Sequence, residues 1–245
     1  MYEVILTNFK TNSEDVDRLV NFDREVLQVV ELSLADLHER LKPLHSTAQM
    51  NGGRILEIVR GIRNNDSLRS KYATIFNQSI VLLVSHFAST LGDIFRTAVI
   101  ASLDRGNNDY LMDEEIKMTF REMKERGWNL KTATADLLVA KRDFTFQDMQ
   151  STVRAFETYV GVTLLQDQTT NNIILGQAAR HVIVHSGGIA SERTSKQISK
   201  ANPRTLKPNL SVGDAVQFSA DEVLRLKDDM LEYVLRVIRA VQVRE

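Results

Sequence analysis

Only one proline, Pro43, stands in the first 185 residues of this chain, and apolar side chains recur there at spacings of three and four. So few helix breakers with that periodicity predict an all-α fold. One stripe runs through Val16, Leu19, Val26, Val30, Leu34, Leu37, Leu41 and Leu44, with Asn12-Ser13-Glu14-Asp15 as the expected cap before it. Pro43 and Asn51-Gly52-Gly53 are expected to end that helix. A second is expected from about Arg54 to Asn64-Asn65-Asp66-Ser67. The most apolar stretch, residues 68–103, carries large aliphatic and aromatic side chains around much of a helical circumference, which suits the centre of a bundle.

Shorter helices are expected over 111–126 and 132–141, with Trp128 packing in the turn between them. Thr145 followed by Asp148 reads as a capping box for a helix reaching Val160. Residues 171–185 read as another helix, stopped by Ser186-Gly187-Gly188. Residues 189–215 hold two prolines and read as a loop with one short helix, and 212–218 as a brief extended piece. Ser219-Ala220-Asp221-Glu222 is a capping box opening a last amphipathic helix.

Composition removes several function classes. A net charge of −1 argues against a basic coat for duplex DNA, and the absence of cysteine removes thiolate nucleophiles and cysteine-held metals. The longest aliphatic run, residues 80–84, falls far short of the ~20 residues of a membrane span. The N-terminus lacks the basic start and apolar stretch of a signal peptide, so a cytoplasmic protein without a membrane partner is expected. No GxxxxGK[ST], GxGxxG or GxSxG is present, and no nucleotide or other cofactor is expected.

What chemistry remains lies in Arg180-His181-Val182-Ile183-Val184-His185. His181 and His185 share a helix face, but Val182 stands where a zinc protease carries glutamate, and no metal is expected. An arginine and a histidine in one pocket suit a phosphodiester: guanidinium stabilises charge on the phosphoryl oxygens and imidazole moves protons near neutral pH. RNA brings its own nucleophile in the ribose 2′-hydroxyl, so such a site works without metal and leaves a cyclic phosphate. Arg-x4-His occurs twice, at Arg40…His45 and Arg180…His185. Pro43 interrupts the first, whereas the second ends a continuous helix.

On these residues the chain resembles the HEPN superfamily of helical domains, many of them metal-independent ribonucleases. The family's Arg, polar residue and His match Arg180, His181 and His185. The helix around Val81-Leu82-Leu83-Val84-Ser85-His86-Phe87 resembles the family's first core helix. The string 211–219 resembles the close of its bacterial toxin and defence branch. The chain departs from that branch after Phe87, where Ala88, Ser89 and Thr90 stand in place of an acid. The resemblance covers 68–245 and implies a HEPN-like helical bundle there, with 1–67 as an N-terminal helical extension. It further implies a homodimer whose two motifs face each other in a composite site, with Arg180 and His185 catalytic and His181 supporting them. Residues five apart on a helix point roughly 140° away from each other, which agrees with a site completed by a partner copy.

The stretch 180–207 holds six cations against Glu192 alone, and Arg193, Lys196 and Lys200 are the candidate RNA contacts. No aromatic residue interrupts them, so little base stacking and modest sequence preference are expected. The expectation is an endoribonuclease acting as toxin or effector in a bacterial stress or phage-defence system, with an antitoxin or activating partner. Its rival is a non-catalytic HEPN-like module that dimerises and binds RNA or protein.

Overall fold

The computed structural model describes residues 1–41, 47–65, 72–106 and 109–244, with side chains in the second segment described from 52 onward. Pro43, Leu44, His45, Asp66 and Ser67 lie outside the described residues. The fold is all-α, with nine α-helices among the described residues. They are α1 (Tyr2–Leu41), α2 (Thr47–Arg63), α3 (Ala73–Arg105), α4 (Phe120–Glu125), α5 (Leu130–Arg142), α6 (Met149–Val160), α7 (Gln168–His185), α8 (Glu192–Ile198) and α9 (Ala220–Arg244).

Helix α3 is the centre, packed on by α1, α5, α6, α7 and α9. Its 18-residue window apolar enough for a membrane span is 56% buried inside the fold. Two aromatic clusters fix its neighbours. Phe87 meets Phe9 of α1 and Tyr233 of α9 at ring-centroid distances of 6.2 and 5.9 Å. Phe95 meets Phe146, Phe156 and Tyr159 at 5.5, 5.7 and 6.4 Å. Tilted and edge-on contacts of this kind add to the burial of the rings themselves. The first half of α1 belongs to the same core, through buried Phe9, Val16 and Val20.

Local signals and tertiary packing disagree at several places. Asn12-Ser13-Glu14-Asp15 does not cap a helix. Helix α1 runs through it, with Ser13 buried and its hydroxyl donating back to the Phe9 carbonyl at 2.7 Å. Helix α2 likewise begins at Thr47 and includes Gly52 and Gly53. A Cβ at Gly53 would lie 3.3 Å from the His38 ring, so the glycines serve close approach to α1. The expected helix over 111–126 shrinks to a 3-10 turn at Asp109–Leu111 and α4, which Thr119 and Glu122 open with a capping box. Between them Glu114 accepts from Lys141 and Arg142 of α5, holding that stretch irregular. Trp128 does not pack: it is 59% exposed, at φ 63°.

The cap of α6 is Asp148, whose carboxylate accepts from Ser151 N–H at 2.8 Å. Thr145 lies one turn earlier and accepts from Gln147 N–H. At α9 the expected box is present: Ser219 Oγ accepts from Glu222 N–H and Glu222 Oε2 accepts from Ser219 N–H.

Candidate functional site

Asp167 caps α7, accepting from Thr170 N–H at 2.9 Å and pairing with Arg236 of α9 at 2.6 Å. Burial would raise the Asp167 carboxyl, but the Thr170 amide and the Arg236 guanidinium outweigh it and hold the group below its usual value. One face of α7 packs into the core through Ile173, Leu175, Ala178, Ala179 and Val182, and at Gly176 it lies directly against Leu226 of α9. The other face carries Ile174, Gln177, Arg180 and His181, residues spaced by three and four, into a groove of about 740 Å³. That volume lies within the ~300–1,000 Å³ of ligand clefts.

The opposite wall is α8 and the turn after it, and it contributes Arg193, Lys196 and Lys200. Its position follows from backbone geometry. Gly187 and Gly188, at φ 61° and 78°, reverse the chain after α7, and Gly188 N–H donates to the Val182 carbonyl at 3.1 Å. Residues 188–190 then join 213–216 through three main-chain bonds. Ala190 N–H donates to Asp214 O, Gly213 N–H to Ala190 O and Val216 N–H to Gly188 O, at 2.9, 2.8 and 2.7 Å. An isolated antiparallel bridge, Ile189 to Ala215, is the whole of the expected extended piece. Asn77 of α3 anchors this platform, donating to Val216 O at 2.9 Å and accepting from Phe218 N–H at 3.1 Å. Ser191 and Thr194 then open α8 with a capping box.

Four cations therefore line one groove: Arg180, Arg193, Lys196 and Lys200. None of their side chains has a hydrogen bond or ion pair among the described residues. The remaining two cations of the basic stretch do other work. Arg204 donates to the carbonyls of Ile198, Ala201, Lys207 and Pro208, and burial pulls its guanidinium below its usual value. Lys207 pairs with Glu222 at 2.7 Å. The loop is pinned further by Asn172 of α7. Its Oδ1 accepts from Thr205 and Leu206 N–H, while its Nδ2 donates to Asp229.

His181 lines the groove, and His185, one turn on, is exposed outside the groove lining with its ring centroid 4.9 Å away. Burial pushes the His181 imidazole below its usual value. The nearby positive charge of Arg193, then His185 and Arg180, pushes it the same way. A depressed imidazole is neutral at pH 7 and able to accept a proton. Asp148, the only carboxylate in the lining, is engaged in capping α6. Among the described residues no three His, Asp or Glu side chains gather in a metal-binding cluster.

Sequence reasoning missed the amides. Five of the chain's eleven glutamines line the groove: Gln147, Gln150, Gln166, Gln177 and Gln197. Gln177 is 3% exposed. Its Oε1 accepts from Met149 N–H at 3.0 Å, which fixes the amide's orientation, and its Nε2 has no partner. Its position four residues before His181 on α7 was the available signal. Comparison of the chain with family models, curated proteins and solved structures returns no match.

Proposed function

We propose that this protein is a metal-independent endoribonuclease acting on RNA held in the groove between α7 and α8. The observation that carries the reading is the His181 imidazole in one groove with four cations, Arg180, Arg193, Lys196 and Lys200, whose side chains have no hydrogen bond or ion pair among the described residues. His181 accepts the proton of the ribose 2′-hydroxyl as its oxygen attacks phosphorus. The P–O5′ bond breaks, and the leaving 5′-oxygen takes a proton from an acid, for which His185 is the candidate, from this chain or a partner copy. Arg180 stabilises the charge on the phosphoryl oxygens. The products are a 2′,3′-cyclic phosphate and a 5′-hydroxyl. Glutamine amides with no aromatic lining favour backbone and 2′-hydroxyl contacts over stacking, hence modest sequence preference.

The resemblance of residues 68–245 to the HEPN superfamily adds the setting. It is a cytoplasmic homodimer serving as toxin or effector of a bacterial stress or phage-defence system, held by an antitoxin or released by an activator.

One observation favours the non-catalytic reading: His185 stands outside the groove lining, leaving one imidazole inside it. Expression in bacteria separates the two. Growth arrest with cyclic-phosphate RNA ends in the wild type, abolished by Arg180→Ala and His181→Ala in folded protein, supports the nuclease. RNA bound but uncut by purified wild type, with growth unaffected, supports the binding module instead.

A further inference from the structure

Gln166 stands just before α7 and lines the same groove. A glutamine carries a donor and an acceptor on one planar group, and what it offers outward depends on which half the protein holds. Two main-chain carbonyls decide that here. Pro203 O can only accept, so Asn171 turns its Nδ2 toward it, at 2.9 Å. Asn171 is buried, and its Oδ1 accepts from Gln166 Nε2 at 2.6 Å. The same Nε2 donates to Lys200 O at 3.1 Å. Both acceptors demand the NH2 half of Gln166, which fixes the amide. Its Oε1 carbonyl has no partner among the described residues, and the side chain is exposed in the groove lining. Gln177 is held the opposite way, by its Oε1.

A fixed acceptor in a groove of cations narrows the ligand. Arg180, Arg193, Lys196 and Lys200 draw in an anion, but the oxygens of an ionised phosphate only accept and leave a carbonyl unsatisfied. Along a polynucleotide backbone the one donor is the ribose 2′-hydroxyl, which DNA lacks. A base also carries N–H groups, but no aromatic side chain lines the groove to hold a base splayed out. At this end of the groove the Lys200 main chain meets Gln166 while its ammonium is open to the neighbouring phosphate. From Asn171 to His181 is ten residues of α7, about 15 Å. The ribose that meets Gln166 is therefore a different one from the ribose whose 2′-oxygen attacks at His181.

We propose that Gln166 is a specificity-determining residue: its Oε1 accepts from the 2′-hydroxyl of a ribose away from the cleavage point, so the groove takes RNA in preference to DNA. This rests on the groove being a nucleic-acid site, as the ribonuclease reading has it, but not on cleavage. The test titrates single-stranded RNA, DNA and 2′-O-methyl RNA of one sequence against the full chain carrying His181→Ala, which leaves RNA intact, by fluorescence anisotropy. The 2′-O-methyl strand keeps the oxygen and loses the donor. RNA is expected to bind about tenfold tighter than either of the others, the effect of one hydrogen bond. Adding Gln166→Leu is expected to bring RNA down to the DNA level and leave DNA affinity where it was. Gln166→Leu weakening RNA and DNA equally, or RNA and DNA binding alike before that substitution, overturns the proposal and leaves the groove a nucleic-acid site. A chain that binds none of the three strands overturns the groove reading and this proposal with it.

Discussion

His181 and His185 stand one turn apart on α7 with ring centroids 4.9 Å from each other, and only His181 lines the groove. Burial and the charge of Arg193 hold His181 below its usual value, and His185 and Arg180 add to that pressure.

His181 is expected to titrate below the ordinary imidazole value of about 6.5. If it is the base, activity rises with pH through that depressed value and is level at neutral pH. Arg193→Gln removes the strongest charged neighbour, so the acid limb moves to higher pH, toward 6.5. His185→Ala moves it the same way by less. The sign for stability follows: between the depressed and ordinary values the unfolded chain binds more protons, so this group's contribution is lost as pH falls. Proton NMR of the His181 ring checks the shift without a substrate.

The four groove cations are expected to read out as a salt slope. For single-stranded RNA, log affinity falls with log salt by about 0.7 per phosphate neutralised. Alanine at Arg193, Lys196 or Lys200 should each flatten the slope by about that amount and leave Tm alone. Arg204→Ala should do the reverse. It orphans the carbonyls around 198–208 and costs roughly 1–3 kcal/mol in stability, while the slope stays near its wild-type value. Filter binding across a salt series and thermal melts decide between the two patterns.

Asn77→Ala should loosen the groove from a distance. It leaves Val216 O and Phe218 N–H without their side-chain partner, for about 1–3 kcal/mol. The platform at 213–216 holds residues 188–190 in turn, so amide exchange at Ala190 and Val216 should quicken and RNA affinity fall with every cation intact. Exchange rates matching wild type at those two amides would refute this.

Gly161 ends α6 at φ 68°, and a Cβ there would lie 2.5 Å from the Tyr110 ring. Gly161→Ala is expected to destabilise the fold by about 1–2 kcal/mol, chiefly through the left-handed backbone, since the half-exposed ring can yield. Chemical denaturation measures it. The same substitution at Gly213, also at positive φ but with open space around it, separates backbone strain from collision.

What was legible in the sequence was the local grammar. The Gly187-Gly188 stop after α7, the Ser219–Glu222 box and the span of α6 to Val160 are set within a few residues and appear as read. What failed was overridden from afar. Asn12-Ser13-Glu14-Asp15 has cap chemistry, but Phe9, Val16 and Val20 are drawn into the α3 and α9 core and carry the helix through it. Gly52 and Gly53 have breaker chemistry, but the α1 seam needs their missing side chains. At the groove, charge counting placed Arg204 with the other cations, and only the fold turns it inward to bind carbonyls. Gln177 carries no charge, and only its place one turn before His181 on α7 marks it.

The α8 wall hangs on bonds between main-chain atoms at 188–190 and 213–216. Peptide groups are the same whatever side chains they bear, so no substitution on the outward face of α8 touches the hinge that positions it. Residues 193, 196, 197 and 200 thus form an exchangeable faceplate on a fixed mount. Changing these four side chains alters the charge and shape of that wall with no repacking of the core behind them.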